Sequence, residues 1–227
     1  MSQANNTIRN VVFFLVPDFT MLAFASAVEV LRLANRGLGY QAYTWRLSSE
    51  TGGSATASGN MQIAVQTSAE DERKLLNGAD RPSIFIVCGG MNIASHTSKA
   101  TTALVREQHA RGTAIGGLCS GAYILATAGL LSGKRCAIHW EDLPGFQEKF
   151  PKADVHADLF EIDGNIYTCA GGTASLDMML SLVAKDFDDD LVNRICEQML
   201  TDRVRASTDR QRLPLRARLG VQNARVL

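Results

Sequence analysis

Ala114-Ile115-Gly116-Gly117-Leu118-Cys119-Ser120-Gly121-Ala122-Tyr123-Ile124-Leu125 is the stretch on which the fold turns. Ala114 to Leu118 is a short apolar run with the length of a buried strand, and Ser120 to Gly129 reads as a helix. Between them, Gly117-Leu118-Cys119-Ser120-Gly121 has the G-x-nucleophile-x-G form of a nucleophile elbow. A tight strand-to-helix turn forces its middle residue into strained backbone geometry and exposes the side chain. The flanking glycines remove side chains that would clash. The helix N-terminus behind it offers free N–H groups and positive potential, which lower a thiol's pKa. A buried cysteine beside a tight turn fits the same five residues.

Working outward, strand-like and helix-like segments alternate. Val11 to Val16 and Ile84 to Cys88 are continuous apolar runs, as expected of strands buried on both faces. Tyr43 to Leu47, Arg135 to Ile138, Leu159 to Ile162 and Ile166 to Ala170 supply further strands. Helices are expected over Thr20 to Asn35 with a stop at Arg36-Gly37, over Ser68 to Asn77, and over Lys99 to Arg111 with a stop at Gly112. Two more run from Gly171-Gly172 to about Phe187, and from Asp188-Asp189-Asp190 to about Val204. Gly52 to Gly59 reads as a turn or hairpin. The order predicts an α/β doubly wound fold, a mostly parallel sheet with helices on both faces. In such sheets ligands sit beyond the carboxyl ends of the strands. Three strand ends stand out: Pro17-Asp18, Gly89-Gly90 and Cys119.

Composition narrows the class. The 227 residues are 46% hydrophobic and 20% charged, which excludes a disordered chain. No apolar run reaches the roughly 18 residues of a membrane span. The polar start, Met1 to Asn10, lacks a secretory h-region, so a cytoplasmic protein is expected. Lys+Arg and Asp+Glu balance at 23 each, but unevenly. Seven arginines and two aspartates fall in 201–227, so that segment carries +5 and residues 1–200 carry −5. The expected organisation is one domain over 1–200 and a basic linker over 201–227. The five cysteines, widely spaced and without C-x-x-C, argue against a zinc site or a disulfide framework. No motif supports a nucleotide, a metal or another cofactor.

The other candidates cluster near strand ends. Gly89-Gly90-Met91 would let backbone approach a ligand closely and present N–H groups to it. His139 ends a strand and could face Cys119 as a base, or be a hydrogen-bonded structural histidine. His109 and His156 read as surface and connecting residues. Trp140 and Glu141 together suit a cationic ammonium, an aromatic face beside a carboxylate. Trp140 as plain core and Glu141 as a helix cap remain the alternatives.

These residues resemble the class I glutamine amidotransferase-like superfamily, in the branch of the Parkinson-protein and intracellular-protease relatives. More narrowly, the chain is similar to the N-terminal domain of GlxA-type AraC-family transcription regulators. The resemblance rests on Val11–Pro17 with Met21–Leu33, Ile86–Gly90, Gly117–Leu131, Ala137–Glu141, Thr168–Ala174 with Leu176-Asp177, and Asp209–Leu219. It implies a flavodoxin-like fold, a homodimer, and a small-molecule effector bound near Phe24, Gly89, Gly90, Met91, Cys119, Ser120, His139, Trp140 and Glu141. Arginine, betaine and carnitine are the kind of effector it implies. DNA would be contacted only through a helix-turn-helix domain that this chain lacks. Enzymes of the superfamily pair the cysteine with an acid at the first helix and often a histidine. Cys119 and His139 match, but the acidic position falls on Ala23, with Asp18 about a turn too early.

Three functions therefore stand side by side. The first is a ligand-sensing domain of a transcription regulator. The second is a cysteine-dependent hydrolase, hydratase or glyoxalase-like enzyme using Cys119 and His139. The third is a dimerisation module.

Overall fold

The computed structural model describes residues 8–211. In chain order its elements are β1 (Arg9–Leu15), α1 (Met21–Leu38), β2 (Tyr43–Ser49), β3 (Ser54–Thr56), β4 (Gln62–Ala64), β5 (Thr67–Ser68), α2 (Ala69–Leu75), β6 (Ile84–Cys88), α3 (Lys99–Ala110) and β7 (Ala114–Leu118). There follow α4 (Gly121–Thr127), β8 (Arg135–Ala137), α5 (Leu143–Lys149), β9 (Asp154–His156), β10 (Phe160–Asp163), β11 (Ile166–Cys169), α6 (Ala174–Asp186) and α7 (Asp189–Gln198). A seven-stranded sheet runs β10-β11-β7-β6-β1-β2-β5. All its pairings are parallel except that of β10 with β11.

The apolar run of β1 is continuous because both faces of the sheet are covered. Val11, Phe13 and Leu15 point into the core shared with α1, α6 and α7. Val12, Phe14 and Val16 point into a second core shared with α3 and α4. The doubly wound expectation is thus met, and β1, β6 and β7 deliver their ends to one edge. β3 and β4 form the expected hairpin, and α2 opens on a capping box between Ser68 and Asp71.

Three local expectations are corrected. Gly37 does not stop α1: a Cβ there would lie 2.7 Å from Leu191 Cδ1, so its glycine serves close packing on α7. The stop is Gly39, left-handed at φ 74°. His156 is not in a connection but in β9, which pairs with β8 as a separate two-stranded sheet. The helix expected to reach Val204 ends at Gln198, where Leu200 turns left-handed at φ 52° and the Leu200 and Thr201 N–H groups close back on Glu197 O and Cys196 O. Residues 201–211 carry no helix or strand, yet they are fastened to the domain through Asp177, Leu159 and Ile138. The rest of the basic stretch, Arg212 to Arg225, lies outside the described residues.

All five cysteines are free and buried. Burial pushes the Cys136 thiol up to about 12. Below the free-thiol pKa of roughly 8.5, Cys136 is neutral in both folded and unfolded chains. Above it only the unfolded chain ionises, so stability falls as pH rises toward the folded value. Between about pH 7.5 and 9.5, wild type should lose about 1.4 kcal/mol more than Cys136→Ala, read from urea midpoints. Equal losses would show that Cys136 is not desolvated as described.

Candidate functional site

Cys119 sits at the elbow expected of it, between β7 and α4, with φ 57°. Gly121 makes the turn possible, since a Cβ there would fall 2.3 Å from the Val87 carbonyl oxygen. Cys119 is only 8% exposed. One polar partner is Thr20, which precedes α1. Thr20 makes no side-chain cap to its own helix and instead donates its hydroxyl to Cys119 Sγ at 3.5 Å. The Ser120 N–H also points at the sulfur. Beneath it, Cys169 Sγ accepts from the N–H groups of Cys119 and Gly171.

The net effect of its surroundings is to push the Cys119 thiol above the ordinary thiol range. Burial pushes its pKa up, Thr20 and the Ser120 N–H pull it partly back, and the carboxyl groups of Asp142 and Glu141 raise it again. Burial is the largest of these influences, because desolvation disfavours a thiolate. Alkylation of Cys119 should therefore rise about tenfold per pH unit up to at least pH ~8.5. A plateau near neutrality, measured by mass spectrometry of the labelled peptide, would contradict this.

The glycines at the end of β6 are used by the protein's own backbone. A Cβ on Gly89 would lie 2.4 Å from the Gly121 nitrogen, and one on Gly90 would lie 2.0 Å from the Asp18 carbonyl oxygen. The Gly89 N–H bonds Leu118 O at 3.1 Å, and the Met91 N–H bonds Asp18 O at 3.1 Å. These two N–H groups are thus engaged rather than offered to a ligand, and the Met91 side chain lies exposed at the rim. Ser120 is buried, with its hydroxyl donated to Gly90 O at 2.6 Å. Phe24 is a core ring, edge-on to Phe13 and Phe19 at 5.7 Å each. Ala23 is buried, and Thr20 takes the place at the helix start where an acid was sought.

His139, Trp140 and Glu141 form the turn from β8 into α5. The two rings lie 5.6 Å apart and tilted by 37°. His139 Nδ1 accepts the Glu141 N–H at 3.4 Å and stands 3.7 Å from its carboxylate. Among the described residues no hydrogen bond joins His139 to Cys119. The imidazole is thus turned toward its own loop. Trp140 is half-buried and Glu141 exposed. Asp142, which the sequence did not single out, is half-buried, and burial raises its carboxyl pKa. Glu141 and Asp142 border a groove of about 630 Å³ together with Asn92, Ser95, Tyr123 and Lys149.

The sequence also missed a pair at the rim. Asp18, left-handed at φ 62°, places its carboxylate 3.1 Å from His96 Nε2 and 3.5 Å from Asn92 Nδ2. Asp18 therefore serves His96, and among the described residues it makes no bond to Cys119. A positive φ at a non-glycine residue is the kind of signal no propensity reading supplies. As for metals, His156, Asp158 and Glu161 bring ligand atoms within 4.8 Å of one another. Arg135 already binds Glu161 at 2.8 and 3.2 Å and stands 3.9 Å from Asp158, so a guanidinium holds the position a cation would take.

Comparison with known proteins places this arrangement. Residues 9–185 match the DJ-1/PfpI family. The HTH-type transcriptional regulator GbdR of Pseudomonas aeruginosa (strain UCBPP-PA14) is 35% identical over 222 residues, covering 98% of this chain and 59% of its own. The HTH-type transcriptional regulator GlxA of Rhizobium meliloti (strain 1021) is 31% identical over 226 residues, covering 100% of this chain and 68% of its own. The crystal structure of an AraC family transcriptional regulator from Pseudomonas putida superposes with a TM-score of 0.74 at 26% identity, covering 85% of this chain and 100% of that one. The chain thus spans 59% of GbdR and about two thirds of GlxA. With this elbow, this sheet order and these matches, the chain belongs to the DJ-1/PfpI family, alongside AraC-type transcriptional regulators of the GlxA kind.

Proposed function

We propose that this chain is the effector-sensing part of a transcription regulator. Its effector is a small cationic metabolite of the arginine, betaine or carnitine type. The observation that carries the reading is the state of Cys119. A thiol that is buried, raised in pKa and bonded to a threonine hydroxyl rather than an imidazole is a poor nucleophile. In a pocket it serves as a wall. Half-buried Trp140, with Glu141 and Asp142 beside it, offers the aromatic face and negative charge that hold an ammonium or guanidinium. DNA contact then falls to a helix-turn-helix domain, which residues 8–211 do not form, and the regulator works as a homodimer.

Titration calorimetry against arginine, glycine betaine and carnitine tests this. One of them should bind saturably, Cys119→Ala should still bind it, and Trp140→Ala should weaken it about tenfold, as loss of a desolvated cation–π contact of ~1.4 kcal/mol implies. The left-handed backbone of Cys119 favours the enzymatic reading as the second one. Heat that continues after each injection, scales with protein and vanishes in Cys119→Ala would establish catalysis and overturn the sensor.

A further inference from the structure

We infer that Arg205 and Gln211 are positioning residues for the Cys119 site, and that the segment 203–211 carrying them responds to what the site holds. The segment has no helix or strand of its own, yet it is bonded to both walls of the elbow. One wall is the loop between β11 and α6. There Gly171, at φ 85°, comes so close that a Cβ on it would lie 2.6 Å from the Cys119 Cβ. Two residues on, Thr173 Oγ1 accepts from Arg205 Nη2 at 2.8 Å. One helical turn further, buried Asp177 accepts the Arg205 N–H at 2.8 Å, Nε at 2.9 Å and Nη2 at 2.6 Å. The other is the turn after β8, whose Glu141 and Asp142 carboxyl groups lie near enough to act on the Cys119 thiol. Gln211 Nε2 donates to Ile138 O at 2.8 Å, directly before His139 and Trp140, and to Asp158 O at 3.1 Å.

The two anchors are also tied to each other. The Leu159 N–H bonds Ser207 O at 3.2 Å and Asp209 O at 3.0 Å, while the Leu159 carbonyl takes the Ala170 N–H at 2.8 Å, next to Gly171. Whatever spreads the Gly171 loop from the His139 turn must stretch this clasp. By reciprocity, releasing the clasp must loosen the walls around the thiol. Arg205 is a third exposed, and Gln211 Oε1, though buried, has no donor among the described residues. If the proposed function holds, segment 203–211 lies on the route from effector to DNA. The coupling itself requires only the contacts above.

The test uses the thiols as reporters and no effector. The intact chain, Arg205→Gln and Gln211→Ala are alkylated with iodoacetamide under native conditions, and Cys119 and Cys88 are followed separately by peptide mass spectrometry. In each variant the ratio of the Cys119 rate to the Cys88 rate should rise at least about tenfold over wild type, with Arg205→Lys nearer to wild type. Equal acceleration of Cys119 and Cys88 would mean that the segment only stabilises the fold. An unchanged Cys119 rate would mean that it does not reach the site. Either result overturns the proposal. If Arg205→Gln does not fold, Gln211→Ala decides alone. Failure of arginine, betaine and carnitine to bind would strike the effector assignment and leave this coupling standing.

Discussion

Gly90→Ala is expected to lower stability by about 3 kcal/mol, at the upper end of what overpacking costs. The added Cβ would meet the Asp18 carbonyl oxygen at 2.0 Å and the Phe19 Cα and carbonyl carbon at 2.8 Å. All three are backbone atoms, so no side-chain rotation relieves the contact. The loop must move instead, and it is pinned by Met91 N–H to Asp18 O and Thr20 N–H to Gly89 O, at 3.1 and 3.0 Å. Displacing it withdraws Thr20 from Cys119, so the thiol should also lose the donor that lowers its pKa. Gly145→Ala is the control. It lies in α5 with nothing within 4 Å of a new Cβ, and should stabilise by up to about 1 kcal/mol. Urea midpoints decide; a Gly90→Ala protein within ~0.5 kcal/mol of wild type would refute the close approach of β6 to the β1–α1 loop.

Arg205→Ala is the second large effect. The Asp177 side chain is 2% exposed and the Arg205 side chain 34%. Truncating the arginine leaves a buried carboxylate with one backbone N–H and no counter-charge, which costs about 3 kcal/mol. That is the low end for a broken buried pair, because Arg205 is partly screened by water. Arg205→Ala combined with Asp177→Leu should cost less than Arg205→Ala alone, since no charge is then stranded. If the double variant is the less stable of the two, Asp177 contributes through something other than its pairing with Arg205.

How much of this was legible beforehand depends on the range of the forces involved. The strands β1, β6 and β7 read directly from apolar runs, because burial on both faces leaves no alternation. The elbow read from glycine spacing, because a turn that tight leaves no room for a Cβ at Gly121. Whether His139 meets Cys119 was left open, because β8 and β7 end in different sheets and the strand pattern does not fix how a side chain at either end is turned. His139 turned to Glu141, and Thr20 met the thiol. Gly37 read as a stop because a glycine that makes room for Leu191 looks the same in sequence as one that ends a helix.

By itself, then, the sequence determined the sheet, the sequence-local turn at Cys119 and the segregation of basic charge after residue 200, all matters of pattern over a few neighbouring residues. The tertiary structure alone decided the rest. Thr20 and Cys119 are 99 residues apart, and Arg205 and Asp177 are 28 apart. Whether a thiol ionises, and whether a basic segment is solvated or clasped, depends on how much water and which charges surround it. Those are fixed only when distant parts of the chain come together.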